Sequence, residues 1–225
     1  MENLLKRMSE NRVFACLEEV ERCKLSRIAI RRKYGKGEFI AYYGDIWPYL
    51  FLITEGAIDA FKESSEGRSL TIISFGVGEI FWGPAFFEEG LPMPVTLAAT
   101  MPTILHIWQR EKMLPILKQN GAMSWEMCCQ MICRMLHASE IVEELAFQTV
   151  ARRLARLLME QFSSGKEQSV QRSLTLDEMA ARIGTTREMV CRALYRFADK
   201  KMIEVTRTEF ILTDKDSLRR MAEGV

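Results

Sequence analysis

LTLDEMAARIGTTREMVCRALYRFADKKMI, which runs from Leu174 to Ile203, is the stretch that decides how this chain is organised. Thr175, followed three residues later by Glu178, fits a capping box, in which a hydroxyl and a carboxylate cap the first amides of a helix. Gly184 lies where that helix must stop, since glycine tolerates the left-handed conformation of a helix end. One of the two threonines that follow caps a second helix. The sequence therefore predicts a helix–turn–helix.

The second helix carries polar side chains opposite its apolar stripe. Arginine can pair bidentately with O6 and N7 of guanine, and glutamate can accept from N4 of cytosine. The first turns of the second helix are the part that meets base edges in this motif. The predicted DNA-binding residues are Arg187, Glu188, Arg192, Thr186 and Cys191. Two alternatives are a capping box from Thr185 to Glu188 and plain solvated charges at Arg187 and Arg192. The whole motif favours sequence-specific binding to double-stranded DNA.

Ahead of this motif, the chain from Arg31 to about Ile107 alternates short apolar runs with glycine turns. Short strands at regular spacing with repeated glycine turns predict a jelly-roll-like barrel. The predicted strand cores are Phe39-Ile40, Leu50–Ile53, Ile58–Phe61, Leu70–Phe75, Val95–Ala99 and Ile104–Trp108. After the motif, two further strands at Ile203–Val205 and Phe210–Leu212 predict a β-hairpin wing.

Between barrel and motif, from about Ser124 to Leu145, apolar residues recur at alternating spacings of three and four. A narrow apolar seam on a long helix favours packing against another helix, and a symmetric copy of the chain is the preferred partner. The alternative is a helix that lies on its own barrel. The predicted dimer-interface seam comprises Cys128, Met131, Met135, Ala138, Val142 and Leu145. A basic amphipathic helix follows, ending at Ser163-Ser164-Gly165, and Leu145–Val150 is the predicted hinge.

Charge and hydropathy place the chain in a broad class. The net charge of +1 divides into −3 for residues 1–150 and +4 from Ala151 onward, as a nucleic-acid-binding C-terminal part would have. The uncharged run Gly90–Gln109 contains prolines and alternates polar with apolar residues, which argues against a membrane helix. The N-terminus has no apolar signal segment, so we expect a cytoplasmic protein whose six cysteines are thiols.

These patterns predict an α+β chain: a jelly-roll barrel domain with an N-terminal helix over 1–122, a dimerisation helix over 123–146, and a winged helix-turn-helix over 147–225. An enzyme is the competing class, because jelly-roll barrels also host metal-dependent oxygenases with clustered histidine and carboxylate ligands. Neither His106 nor His137 has a partner at ligand spacing. We therefore predict no enzymatic activity and no metal site.

Two sets of motifs resemble the CRP/FNR family of bacterial transcription regulators. The barrel set is YGKGEFI, LFLITEGAID and EGRSLTIISFGVGEIF; the C-terminal set is TVARRLARLLMEQ and LTLDEMAARIGTTREMVCRALYRFADKKMIE. The resemblance covers about Arg31 to Leu212. It implies a homodimer that binds a palindromic DNA site, contacts RNA polymerase and carries an effector-binding, cyclic-nucleotide-binding-like barrel. The family's base-reading positions correspond to Arg187, Glu188 and Arg192, as in the catabolite-activator branch that reads TGTGA-type half-sites.

The barrel departs from the nucleotide-binding members of that family. Those members use a glutamate for the ribose hydroxyl and an arginine followed by serine or threonine for the cyclic phosphate. Here Gly83 stands at the glutamate position and Met93-Pro94 at the phosphate-binding pair. A cyclic phosphate would lose its charge partner, and its desolvation would be costly. We therefore predict no tight binding of cyclic AMP or cyclic GMP.

The same loop indicates an apolar effector, since it is rich in aromatic and apolar side chains. The predicted effector pocket comprises Phe81, Trp82, Gly83, Met93 and Val95 of the barrel, with Met135, Ala138 and Ser139 of the long helix. The resemblance here is closest to members that sense halogenated aromatic acids. The alternative is that these side chains simply fill the barrel.

Redox and haem sensing remain alternatives for the trigger. The oxygen-sensing members hold an iron–sulfur cluster through a tight N-terminal cysteine group, whereas this N-terminus has only Cys16 and Cys23, so a cluster is not expected. A thiol switch at Cys128, or a haem bound through His106 or His137, would each replace the small effector. We predict no bound cofactor beyond an unidentified small effector.

Overall fold

A computed structural model of the chain describes residues 2–163 and 169–224. They fall into two compact units. The first comprises Met1–Lys62 and Ile72–His137, and the second comprises Glu63–Thr71 and Ala138–Val225. Strands dominate the first unit and helices the second, which confirms the predicted α+β class.

The barrel consists of antiparallel strands arranged as two four-stranded sheets within the described residues. The strands are Ile30–Tyr34 (β1), Phe39–Ala41 (β2), Tyr49–Glu55 (β3), Ile58–Glu63 (β4), Ser69–Phe75 (β5), Ile80–Trp82 (β6), Thr96–Ala99 (β7) and Thr103–Gln109 (β8). The strand orders in the two sheets are β1-β8-β3-β6 and β2-β7-β4-β5. Every predicted strand core overlaps one of these strands.

Two of these strands were missed from the sequence. Strand β1 reads IRRKY and pairs with β8 alone at the sheet edge, with Ile30 opposite Ile107. An edge strand with mostly exposed side chains lacks the period-two apolar signal. Strand β6 is buried at all three positions and is too short to be distinguished from a turn.

Helices close one side of the barrel. Three precede it, Glu2–Glu10 (α1), Arg12–Ala15 (α2) and Glu19–Ile28 (α3), and two follow it, Arg110–Gln119 (α4) and Gly121–Phe147 (α5). Phe14, Trp108 and Met123 belong to one apolar core that joins these helices to β3 and β6. The Trp108 indole Nε1–H donates to the Leu25 carbonyl oxygen at 2.9 Å. Within the described ranges, no helix has the length and apolar character to cross a membrane.

The C-terminal unit contains the helix–turn–helix. Its elements are Val150–Ser163 (α6), Ser169–Gln171 (β9), Leu176–Ile183 (α7), Arg187–Asp199 (α8), Ile203–Val205 (β10), Glu209–Leu212 (β11) and Lys215–Glu223 (α9). The wing is larger than the predicted hairpin, because β9 adds a third strand in the order β10-β11-β9. Helix α6 is described as far as Ser163, and the rest of the predicted break, Ser164 and Gly165, lies outside the described residues.

Candidate DNA interface and effector cavity

The helix–turn–helix forms as its sequence predicts. The Thr175 hydroxyl accepts from the Glu178 backbone N–H at 3.2 Å, and the Glu178 carboxylate accepts from the Thr175 N–H at 2.7 Å. Gly184 ends α7 with φ of +63°, in the left-handed region. A Cβ atom there would lie 2.5 Å from Leu145 Cδ2, so a larger residue would also have to displace that leucine side chain. The turn is therefore fixed by local rules.

The apolar stripes of both helices are buried in one core with α6 and α9, as predicted. The stripe residues are Met179, Ala180 and Ile183 on α7 and Val190, Ala193, Leu194 and Phe197 on α8. Burial of this stripe fixes which face of α8 points outward. That outward face carries the charged residues predicted to read bases.

Arg187, Glu188 and Arg192 are all exposed on α8. Thr186 caps the helix by accepting from the Met189 N–H at 3.4 Å, so a capping box from Thr185 to Glu188 does not form. The Glu188 carboxylate instead accepts a hydrogen bond from the Arg192 guanidinium one turn later. Exposed ion pairs of this kind are worth about 0–1 kcal/mol, so the pair can open at little cost.

Thr186 and Cys191, the other two predicted DNA-binding residues, are less exposed than the three charged ones. The Thr186 hydroxyl is engaged in the helix cap, and Cys191 is half-buried. Arg187 lies 3.5 Å from the Asp177 carboxylate, with both side chains largely exposed. Tyr195, one turn beyond Cys191 on α8, is 78% exposed.

A buried arginine joins the ends of two helices in this unit. Arg153 on α6 donates from Nε to the Ile183 carbonyl at 2.8 Å. Its Nη1 donates to the carbonyls of Glu144 at 3.0 Å and Gln148 at 2.7 Å. Burial lowers the pKa of the Arg153 guanidinium, and the nearby Glu144 carboxylate opposes that shift. The segment predicted as a hinge thus carries a charged clamp that the sequence did not indicate.

The barrel unit contains an apolar cavity of about 440 Å³. Phe81, Trp82 and Val95, all predicted pocket residues, line it. The cavity is otherwise lined mainly by apolar side chains of β4 and β5, of the loop after β6, and by three residues of α5, namely Met131, Arg134 and His137. A cavity of this size and lining is typical of sites for small apolar ligands.

Five predicted pocket residues do not line this cavity. Met93 is 1% exposed and belongs to the barrel core. Gly83 is closely packed as well, since a Cβ atom at residue 83 would lie 2.5 Å from the Trp47 carbonyl oxygen. Met135, Ala138 and Ser139 are exposed instead. The helix turns a different face to the barrel: the buried positions Met123 and Met127 lead to Met131 and Arg134 at helical spacing.

Arg134 is the charged group that sequence reasoning missed. Its guanidinium carbon lies 4.1 Å from the Trp82 ring centroid, and its Nη2 donates to the Ile80 carbonyl at 2.6 Å. Burial lowers the pKa of Arg134 to about 10, against an opposing contribution from Glu79. The sequence does contain an indication that Arg134 faces the barrel: it follows Met127 by seven residues, which is two turns along the buried face of α5.

The predicted seam of α5 is exposed in the single chain. Met131, Met135 and Val142 are 47%, 63% and 66% exposed, and Leu145 is 38% exposed. Cys128 and Ala138 are exposed as well. A contiguous row of exposed apolar side chains on one helix is the signature of an interaction surface.

The histidines and cysteines are the side chains considered for metal, haem or redox sensing. Among the residues that the structure describes, no group of three or more His, Cys, Asp or Glu side chains is arranged to hold a metal ion. His106 Nδ1 lies 3.2 Å from the Thr54 hydroxyl on the neighbouring strand, and burial lowers the pKa of His106. His137, on α5, lines the cavity from an exposed position. All six cysteines are free thiols.

Comparisons with known proteins agree with this architecture. A cyclic nucleotide-binding domain model matches residues 31–120, and a Crp-like helix-turn-helix domain model matches residues 152–221. The chain is 26% identical over 175 residues to the "Cyclic AMP receptor protein" of Thermus thermophilus, covering 78% of this chain and 80% of that one. It is also 26% identical over 182 residues to the "cAMP-activated global transcriptional regulator Vfr" of Pseudomonas aeruginosa, covering 78% and 85%.

A solved structure of a CRP/FNR-family transcriptional regulator from Eubacterium rectale has the same fold. It superposes with a TM-score of 0.78 at 20% sequence identity, covering 94% of this chain and 97% of that one. Both domains of the family are therefore present, in the family's order along the chain. The chain belongs to the CRP/FNR family of DNA-binding transcription regulators.

Proposed function

We propose that this regulator is a homodimer that reads a palindromic DNA site and responds to a small apolar or aromatic effector rather than a cyclic nucleotide. The observation that carries the DNA-reading part is the face of α8, where Arg187, Glu188 and Arg192 are exposed together in the first turns. In this motif those turns meet base edges in the major groove. Arginine and glutamate there match guanine and cytosine, as TGTGA-type half-sites require.

The exposed seam of α5 supports the dimer. Apolar side chains that remain in water on one face of a long helix gain stability when a second copy covers them. A two-fold symmetric pair of chains would also present two recognition helices, and half-sites about one helical turn apart mirror that symmetry. The division into residues 1–122, 123–146 and 147–225, with the middle helix as the dimer contact, is part of this proposal. Contact with RNA polymerase is proposed on the family resemblance alone.

The close contacts of Gly83 and the position of Met93 support an effector other than a cyclic nucleotide. A glutamate for the ribose would need space that the Trp47 carbonyl oxygen occupies, 2.5 Å from any Cβ at residue 83. Met93 is buried and offers a thioether where a phosphate needs a cation, and Pro94 has no backbone N–H to donate. The chain is similar to relatives named for cyclic AMP, but its own cavity is lined mainly by apolar side chains.

In the proposed mechanism the effector acts through α5. A ligand in the cavity touches that helix at Met131, Arg134 and His137. The same helix runs on to Glu144, whose carbonyl accepts from Arg153 next to the helix–turn–helix. A ligand shifts the equilibrium between two packings of the dimer only to the extent that it binds one packing more tightly than the other.

The experiment uses fluorescence anisotropy with the full chain. One labelled duplex carries two inverted TGTGA half-sites about one helical turn apart. A second duplex has the same base composition with the half-sites scrambled. We expect the specific duplex to bind roughly 1,000-fold more tightly at physiological salt, as specific sites commonly do. Equal affinities with equal salt dependence would mean that α8 contacts only phosphates, and would contradict the proposal.

A further inference from the structure

Arg134 lies where the apolar cavity meets a second, more polar one. The second cavity, of about 430 Å³, is lined by Glu79, Gln130 and other residues of the same unit, and Arg134 and His137 line both. The guanidinium sits over aromatic rings, with its central carbon 4.1 Å from the Trp82 centroid, 5.3 Å from that of Phe75 and 5.7 Å from that of Phe81. Arg134 is therefore the cation of an otherwise aromatic wall.

The hydrogen bonds of this guanidinium are incomplete. An arginine has five N–H donors, and the structure gives one of them a protein acceptor, the Ile80 carbonyl. No carboxylate of residues 2–163 or 169–224 forms an ion pair with Arg134. A partly desolvated cation without a counter-ion is costly, and its pKa is lowered accordingly. Stacking of the Arg134 guanidinium on aromatic rings offsets part of that free-energy cost, while its remaining N–H donors stay available to a ligand.

Glu79 favours the charged form of Arg134 through space, but the two side chains form no ion pair. The Glu79 carboxylate is exposed and accepts from the Gly76 backbone N–H at 2.6 Å. Glu88 lines the apolar cavity from an exposed position. A ligand that enters between Trp82 and α5 thus meets mainly apolar side chains and the Arg134 guanidinium, with Glu88 and His137 also lining the cavity.

We propose that the effector is an amphipathic anion, with a ring-sized apolar body in the cavity and a carboxylate or sulfonate paired with Arg134. This inference rests on the proposed effector cavity and adds the charge of its ligand. Guanidinium and carboxylate match in bidentate geometry, and a charge-assisted pair in a poorly solvated site is stronger than a neutral hydrogen bond. Because Arg134 belongs to α5, such a pair would attach the ligand directly to the helix that carries the exposed seam.

The test uses two fluorescent probes that differ by one charged group. Anilinonaphthalenesulfonate and phenylnaphthylamine share the same ring system, and only the first carries a sulfonate. Both are titrated into the full chain, into Arg134→Gln, into Arg134→Lys and into Arg32→Gln, an exposed arginine of β1 that serves as the control. Val95→Phe, which fills the apolar cavity, is the variant that tests the site itself.

We expect the sulfonate to bind the wild-type chain at least about tenfold more tightly than the neutral probe, as a charge-assisted hydrogen bond requires. Arg134→Gln should remove that preference without weakening the neutral probe, Arg134→Lys should retain part of it, and Arg32→Gln should leave it unchanged. Val95→Phe should weaken both probes.

The two possible failures are distinguishable. If both probes bind equally well in the wild-type chain, or if Arg134→Gln leaves the preference intact, the proposed charge of the ligand is wrong while the cavity stands. If Val95→Phe weakens neither probe, or if neither probe binds, the cavity is not a ligand site and the proposed effector function fails with it.

Discussion

The Nε–H group of Arg153 donates to the carbonyl oxygen of Ile183 at 2.8 Å, in the interior of the C-terminal unit. Ile183 is the last residue of α7, whose final carbonyls have no partner within the helix. The same arginine also serves the carbonyls of Glu144 and Gln148 near the end of α5. One side chain thus satisfies the ends of two helices, one in the DNA-reading motif and one in the proposed dimer helix.

Arg153→Met should destabilise the chain strongly. The methionine keeps the apolar stem but leaves the buried Ile183 carbonyl without the Arg153 donor, which we expect to lower the free energy of unfolding by about 1–3 kcal/mol. Chemical denaturation followed by circular dichroism measures this change. Arg219→Met, at an exposed position of α9, is the control and should change stability by less than about 0.5 kcal/mol. Similar values for both variants would show that the clamp does not contribute.

Arg192→Ala should relax base discrimination. Removing a bidentate contact to guanine costs about 1–3 kcal/mol at one G·C pair and leaves salt-dependent, non-specific binding in place. Anisotropy on duplexes with single substitutions in the half-site measures the loss position by position. A uniform loss on every duplex, with a smaller salt slope, would instead identify Arg192 as a phosphate contact.

Val142→Glu should convert the dimer to monomers. Val142 is 66% exposed in the single chain, so the glutamate leaves the protomer fold intact while placing a charge in the proposed apolar seam. Sedimentation velocity at micromolar concentration measures the change, and specific DNA binding should fall with it. Glu143→Lys, one residue further along and off the seam, is the control. If Val142→Glu remains dimeric, another surface makes the dimer.

Gly83→Ala should test the steric argument against a ribose-binding side chain at this position. The added methyl would lie 2.5 Å from the Trp47 carbonyl oxygen and 2.9 Å from Met93 Sδ, and such overpacking typically costs about 1–3 kcal/mol. Gly121→Ala, where a Cβ meets nothing within 4 Å, is the matched control and should be neutral or stabilising. Thermal unfolding measures both variants. A fully tolerated alanine at residue 83 would remove the steric argument against a ribose-binding side chain.

Calorimetry of the wild-type chain tests directly whether it binds a cyclic nucleotide. With neither the glutamate nor the arginine of the nucleotide-binding members in place, cyclic AMP and cyclic GMP should give no saturable heat at micromolar concentrations. Micromolar binding of either nucleotide would overturn the proposed apolar effector.

The helix–turn–helix was predictable because local chemistry determines it. A capping box at Thr175 and a left-handed glycine at Gly184 act within a few residues, so the sequence alone indicates where each helix begins and ends. The strand cores of the barrel were predictable for a related reason, since apolar runs between glycine turns are also a local signal. Strand β1 lacked that signal, because its partner β8 lies some seventy residues away and its side chains face solvent.

The effector cavity was only partly predictable. Phe81 and Trp82 were visible as an apolar cluster, but which face of α5 turns toward them depends on tertiary packing. The periodicity of α5 contains two apolar rows: one leads from Met123 and Met127 to the cavity, and the other is the exposed seam. The seam dominated the pattern, so Arg134 was not among the predicted pocket residues, although it lies over Trp82.

Sequence-specific reading of DNA by α8 is tested most directly by selecting bound duplexes from a random DNA pool with the chain. We predict an enriched palindrome whose half-sites carry conserved G·C pairs and lie about one helical turn apart, with one of those pairs lost for Arg192→Ala. Enrichment of no palindrome, or of a site whose base preferences are unchanged by Arg192→Ala, would contradict it.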